Sequence, residues 1–156
     1  MCAIFWANHV AQGTVEAGID LDNIQPQDIS FNAVTDTYTL VLPPAQLTSC
    51  YLDAVATEQY DFGGATPVCP ANSDEMRRLA SYEALNQFRD DAVENGILDQ
   101  AESASETVLS NFIRALTGKN VVIVFQDAAT SAIPQSCAPE PPGTWRYNVE
   151  QDRWMQ

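Results

Sequence analysis

Apolar and polar positions change period several times along the chain, and each change marks an element. Between residues 3 and 17, Ile4, Trp6 and Val10 share one parity, and Phe5, Ala7, His9 and Ala11 share the other. This predicts a strand covered on both faces for part of its length, with a bulge or bend at Gly13. Residues 19–24 read as a short helical turn or loop ended by Pro26. Ile29, Phe31 and Ala33 then alternate, as do Tyr38, Leu40 and Leu42, with Thr35-Asp36 between them, so the segment predicts a β-hairpin. Pro43-Pro44 stops its second strand. Residues 45–51 read as a short helix with Leu47 inward, residues 54–62 as extended, and residues 63–70 as a surface loop carrying Cys69.

The period then lengthens. Met76, Leu79, Ala80, Ala84, Leu85, Phe88 and Ala92 recur at helical spacing after Asn72, which forms a capping box with Glu75, and before Asn95-Gly96. A second helix is expected after Ile97-Leu98, with Asp99 and Glu102 as its capping box. Ala101, Ala104, Val108, Phe112 and Leu116 form its buried side, and Gly118 its end. Residues 121–125 are a continuous apolar run suited to a central strand. From residue 128 the four prolines at 134, 139, 141 and 142 leave no period, so the tail should be irregular, with Trp145, Tyr147 and Trp154 folding it back on the body. The expected fold is α+β: a mostly antiparallel sheet (N-terminal strand, hairpin, further strand, closing strand) on a two-helix segment. Residues 1–127 make the domain and 128–156 the Pro-rich tail.

Composition narrows what such a fold can do. The 156 residues are 46% apolar and 18% charged, enough to fold, and 7 basic against 21 acidic residues leave a formal charge of −14. Nucleic acid is excluded as a partner, since phosphate is held mainly by Lys and Arg, and an anionic membrane would repel the chain. Residues 1–76 hold ten acids and no Lys or Arg, so those carboxylates are expected to be mostly solvated.

Four cysteines at 2, 50, 69 and 137, with no C-x-x-C spacing, point to disulfides and an oxidising compartment. Cys50 and Cys69 are the pair that local closure favours, bridging about 20 residues for about 3 kcal/mol, which leaves Cys2 with Cys137. The sequence runs from Met1-Cys2 straight into a strand pattern. This leads us to expect a secreted or anchored protein whose signal peptide or membrane anchor precedes the sequence given.

Catalytic signatures are sparse. His9 is the single histidine and sits in an apolar strand without a G-x-S-x-G partner, so it reads as a core-edge residue. No Gly-rich phosphate loop is found. Asp20, Asp22 and Asp28, with Asn23, are the one oxygen-rich group suited to calcium. Ile24 and Gln25 stand where an EF-hand has a ligand and a glycine, so no other cofactor is implied and calcium is only weakly matched. Glu102 and Glu106 repel mildly at i,i+4 unless Arg114 approaches.

The order of Ala17-Gly18-Ile19-Asp20-Leu21, then Tyr38-Thr39-Leu40-Val41-Leu42-Pro43-Pro44-Ala45, then the alanine-rich helical pair and Val121-Val122-Ile123-Val124 resembles the bacterial domain of unknown function 4230. The resemblance spans roughly residues 10–125 and implies an extracytoplasmic domain, often behind one N-terminal anchor, without an established activity. A looser similarity to band-seven membrane scaffolding domains is architectural only. The reading that follows is a non-enzymatic extracytoplasmic binding or assembly module, with a carboxylate- or divalent-metal-dependent hydrolase as the alternative. Homo-oligomerisation through an apolar sheet edge at residues 4–6 is expected to tighten with salt.

Overall fold

The computed structural model describes residues 6–53, 58–63, 73–127, 133–143 and 145–155. The fold is α+β. Its elements run β1 (Trp6–Val10), β2 (Gly13–Gly18), a 3-10 turn (Pro26–Asp28), β3 (Ile29–Asn32), β4 (Thr37–Leu42), β5 (Gln46–Leu52), β6 (Glu58–Gly63), α1 (Ser73–Glu94), α2 (Ile97–Thr117) and β7 (Asn120–Phe125). A second 3-10 turn (Gln135–Cys137), β8 (Arg146–Asn148) and β9 (Arg153–Met155) follow. The chain divides into two compact units. One comprises Met1–Thr14, Cys50–Asp90 and Gln135–Gln156, the other Val15–Ser49 and Asp91–Pro134.

In the second unit, β3 and β4 form the expected antiparallel hairpin, Ile29 opposite Leu40 and Phe31 opposite Tyr38. Asn32 Oδ1 accepts the backbone N–H groups of Val34 and Thr35, and the turn ends at Asp36 with φ of 53°, a left-handed conformation that Asp tolerates. β7 joins β4 in parallel, Leu40 beside Ile123 and Leu42 beside Phe125. The order β3-β4-β7 makes β4 the central strand, not β7 as its apolar run predicts. Consistent with this, β7 alternates in burial, with Ile123 buried and Val122 and Val124 exposed. Leu40, Leu42 and Ile123 are the buried core, and Tyr38, Val121, Phe125, Ile19, Ile24, Leu109 and Ile113 pack around them.

Residues 45–51 are not a helix: β5 occupies this stretch and pairs with β2. Seven residues cannot repay helix nucleation alone, whereas a neighbouring strand satisfies their backbone groups at once. The predicted long N-terminal strand is two, broken at Ala11-Gln12. Gly13 opens the second because a Cβ there would come within 2.6 Å of the Tyr51 carbonyl oxygen, with Phe88 and Leu52 also within 3.1 Å.

In the first unit, β1 pairs antiparallel with β6, and the register slips by one residue between Asn8 and His9, a bulge that opposes Asn8 to Asp61 but His9 to Gln59. All seven residues predicted for the inner side of α1, from Met76 to Ala92, are half-buried, while Glu83, Gln87 and Asp90 are exposed. The tail is more ordered than its prolines imply. β8 and β9 form an antiparallel hairpin, Tyr147 opposite Trp154. The Trp154 ring meets Tyr82 of α1 edge-on at 5.6 Å, and its Nε1–H donates to Glu83 Oε1 at 2.5 Å.

The disulfide pairing differs from the expectation. Cys50 is bonded to Cys137, not to Cys69, so Cys137 is not available to Cys2. Loop entropy in the unfolded chain favours near pairs, but bonding requires the two Cα atoms within reach in the folded one. Those of Cys50 and Cys137 lie 4.8 Å apart. Cys2, Cys69, the capping residue Asn72, the apolar run at residues 4–5 and most of the loop at residues 63–70 lie outside the described residues.

Candidate functional site

Two glycines set the length of α2. Gly96 and Gly118 take left-handed φ values of 76° and 69°, and the Gly118 N–H donates to the Arg114 carbonyl at 2.8 Å. The helix begins at Ile97, two residues before the predicted cap. Asp99 therefore lies in the first turn, where its carboxylate faces the positive end of the helix dipole. Glu102 reaches across to β5's approach and accepts the Ala45 backbone N–H at 3.1 Å. That bond gives Glu102 a role other than the repulsive pair with Glu106 read from spacing.

Leu109 and Ile113 are the residues of α2 that pack on the Leu40, Leu42 and Ile123 core. Val108, Phe112 and Leu116, the predicted inner side, are instead 65%, 58% and 70% exposed. The apolar arc of this helix is wider than one three-stranded sheet can cover. At 100° per residue, Ala104, Ala115, Val108, Phe112 and Leu116 fall within about 120° of the circumference, adjoining Leu109 and Ile113. None of them is charged, and Asp99, Glu102, Glu106 and Arg114 all lie on the other half of the helix. The sheet continues the apolar surface. Ile29 and Phe31, each 46% exposed, stand by register on the same sheet face as Leu40 and Ile123. Spacing alone finds the apolar arc but cannot say which part of it the sheet takes.

The carboxylates of Asp20 and Asp28 serve local turns. Asp20 Oδ1 accepts the Asp22 backbone N–H at 3.0 Å, and Asp28 Oδ2 accepts the Gln25 N–H at 2.8 Å to cap the Pro26–Asp28 turn. No three carboxylate, histidine or cysteine side chains converge among the described residues. Asp20, Asp22 and Asp28 are thus placed along one loop and not around a common point. His9 Nε2 is buried without a hydrogen-bond partner, and desolvation, with the Arg77 guanidinium adding to it, holds the imidazole below its usual pKa of 6.5. Trp145 Nε1 is likewise buried and unpartnered.

The family model "Protein of unknown function (DUF4230)" matches residues 7–124, three quarters of the chain and all of the span from β1 to β7 except Trp6 and Phe125. The chain belongs to this family. No curated protein and no solved structure matches it. Within the DUF4230 span lie the apolar face of α2 and the hairpin, whereas Cys137 and the β8–β9 hairpin lie beyond it. No helix among the described residues is long and apolar enough to cross a membrane.

Proposed function

We propose that this DUF4230 domain is a non-enzymatic binding or assembly module working outside the cytoplasm, with the uncharged side of α2 as its contact face. The observation that carries the reading is the row Val108, Phe112 and Leu116, three large apolar side chains one turn apart and each more than half exposed. Isolated exposed apolar residues are ordinary, but a contiguous row rimmed by polar residues is what contact surfaces present. The Cys50–Cys137 disulfide supports an oxidising compartment.

Paired stability measurements test the contact face. If the row serves binding and not folding, Val108→Ser with Phe112→Ser should shift unfolding free energy by less than about 0.5 kcal/mol, since surface changes away from special features do little. Leu109→Ala, beside the core, should cost about 2 kcal/mol. A double variant as unstable as Leu109→Ala would show that the row belongs to the fold.

A further inference from the structure

We infer that the occupant of this face is a second copy of the same chain, docked through an antiparallel α2–α2 contact whose two-fold axis passes at the level of Ser110. The inference rests on the contact-face reading above and names its partner. Residues 101, 105, 108, 112 and 115 of α2 are spaced four, three, four and three apart, the spacing of a helix seam that packs knobs into holes against another helix. Reversing one helix about Ser110 sets Val108 against the partner's Phe112 and Ser105 against the partner's Ala115, with Leu116 at the edge of the seam. A large residue thus meets a medium one beside the axis, and small meets small further out. The small residues at both ends let the helix axes approach to about 8–10 Å.

Charge favours this occupant over a lipid surface. The seam carries no cation to hold lipid headgroups. Of the seven Lys and Arg in the chain, Lys119 at the end of the helix is paired with Asp36 at 2.7 Å. An uncharged seam meeting its own copy buries no unpaired charge, which is the costly event at an interface. The exposed parts of the row and its alanines offer roughly 450 Å² per copy, so the dimer would bury at most roughly 900 Å², below the roughly 1,200 Å² of stable interfaces and in the range of weak, transient contacts. Such a dimer is reversible. Each copy also brings a charge of −14, so the two repel at long range and salt should tighten the contact.

Sedimentation equilibrium of the full chain, from micromolar to about 1 mM and in roughly 50 and 500 mM NaCl, tests it. The expected result is a monomer–dimer equilibrium at least about threefold tighter in the higher salt and weakened about tenfold or more by Phe112→Asp. Ser105→Lys and Ala115→Glu should each weaken it, and the two together should restore it, because the antiparallel register places each Lys beside a Glu of the other copy. Circular dichroism confirms that each variant is folded. A wild-type chain that stays monomeric, or a Phe112→Asp chain that dimerises like wild type, overturns the inference. A double variant no tighter than the single ones overturns the register. If the wild type is monomeric while Val108→Ser with Phe112→Ser keeps its stability, the second copy is excluded and the contact face stands. If that variant is destabilised like Leu109→Ala, the contact face itself fails.

Discussion

Cys50 of β5 is bonded to Cys137, 87 residues further along the chain, and hydrogen bonds brace the backbone on both sides of the bridge. The Cys50 N–H donates to Ser136 Oγ at 3.4 Å, and Arg89 Nη1 of α1 donates to the Cys137 carbonyl at 2.9 Å. The same guanidinium also reaches Asn86 and Asp90, so one α1 side chain ties the tail to the helix. On the chain-entropy account a bridge of this span is worth about 4–5 kcal/mol, and native bridges usually deliver about 2–4. Cys50→Ser with Cys137→Ser should therefore lower unfolding free energy by about 2–4 kcal/mol in urea. Non-reducing peptide mapping should recover a Cys50–Cys137 linked peptide. A Cys50–Cys69 peptide would contradict the structure.

The elements read most clearly from sequence are those whose signals are local. Gly96 and Gly118 mark the ends of α1 and α2 because each occupies a left-handed conformation that other residues adopt at a cost. The alternation of Ile29, Phe31, Tyr38, Leu40 and Leu42 gives the hairpin, an equally local signal, although only Leu40 and Leu42 of that set are buried. What sequence hides depends on partners far along the chain. β5 takes its strand form from β2, β7 takes its place at the side of β4 from the parallel pairing, and Cys50 finds Cys137 only in the folded geometry. The contact face is the sharpest case. Periodicity selects Val108, Phe112 and Leu116 as apolar and aligned, and a reader expects such a stripe to be buried. The sheet instead meets the neighbouring Leu109 and Ile113.

His9 gives a pH dependence whose sign is fixed by its surroundings. Its folded pKa lies below 6.5, mainly through burial. Between the folded and unfolded values the unfolded chain binds the extra proton, so the contribution of neutral His9 is complete above about pH 6.5 and is lost as pH falls through that value toward the folded pKa. An NMR titration of the single histidine should give a midpoint below 6.5, rising when Arg77 is replaced by Gln. Replacing His9 by Gln should shrink the stability lost between about pH 7 and pH 5.5. A midpoint at or above the ordinary value would contradict the burial of Nε2.

Glu102 joins α2 to the chain entering β5 through the Ala45 N–H. Glu102→Gln keeps an acceptor and should change stability by less than about 0.5 kcal/mol, whereas Glu102→Leu leaves the Ala45 amide without one and should cost about 1–3 kcal/mol. Hydrogen exchange checks the cause directly. The Ala45 amide should lose protection in the Leu variant and keep it in the Gln variant.

The assembly account is tested most directly by isotope-filtered NOE spectroscopy on a mixture of labelled and unlabelled chains at high concentration. Ser105 and Ala115 lie ten residues apart, about 15 Å along one helix, so the Ser105 Hβ and Ala115 methyl protons cannot meet within a single copy. The antiparallel α2 contact requires an intermolecular NOE between them, fading on dilution and absent in Phe112→Asp. A concentrated wild-type sample that shows no intermolecular NOE to α2, or shows contacts only from other surfaces, would contradict the account.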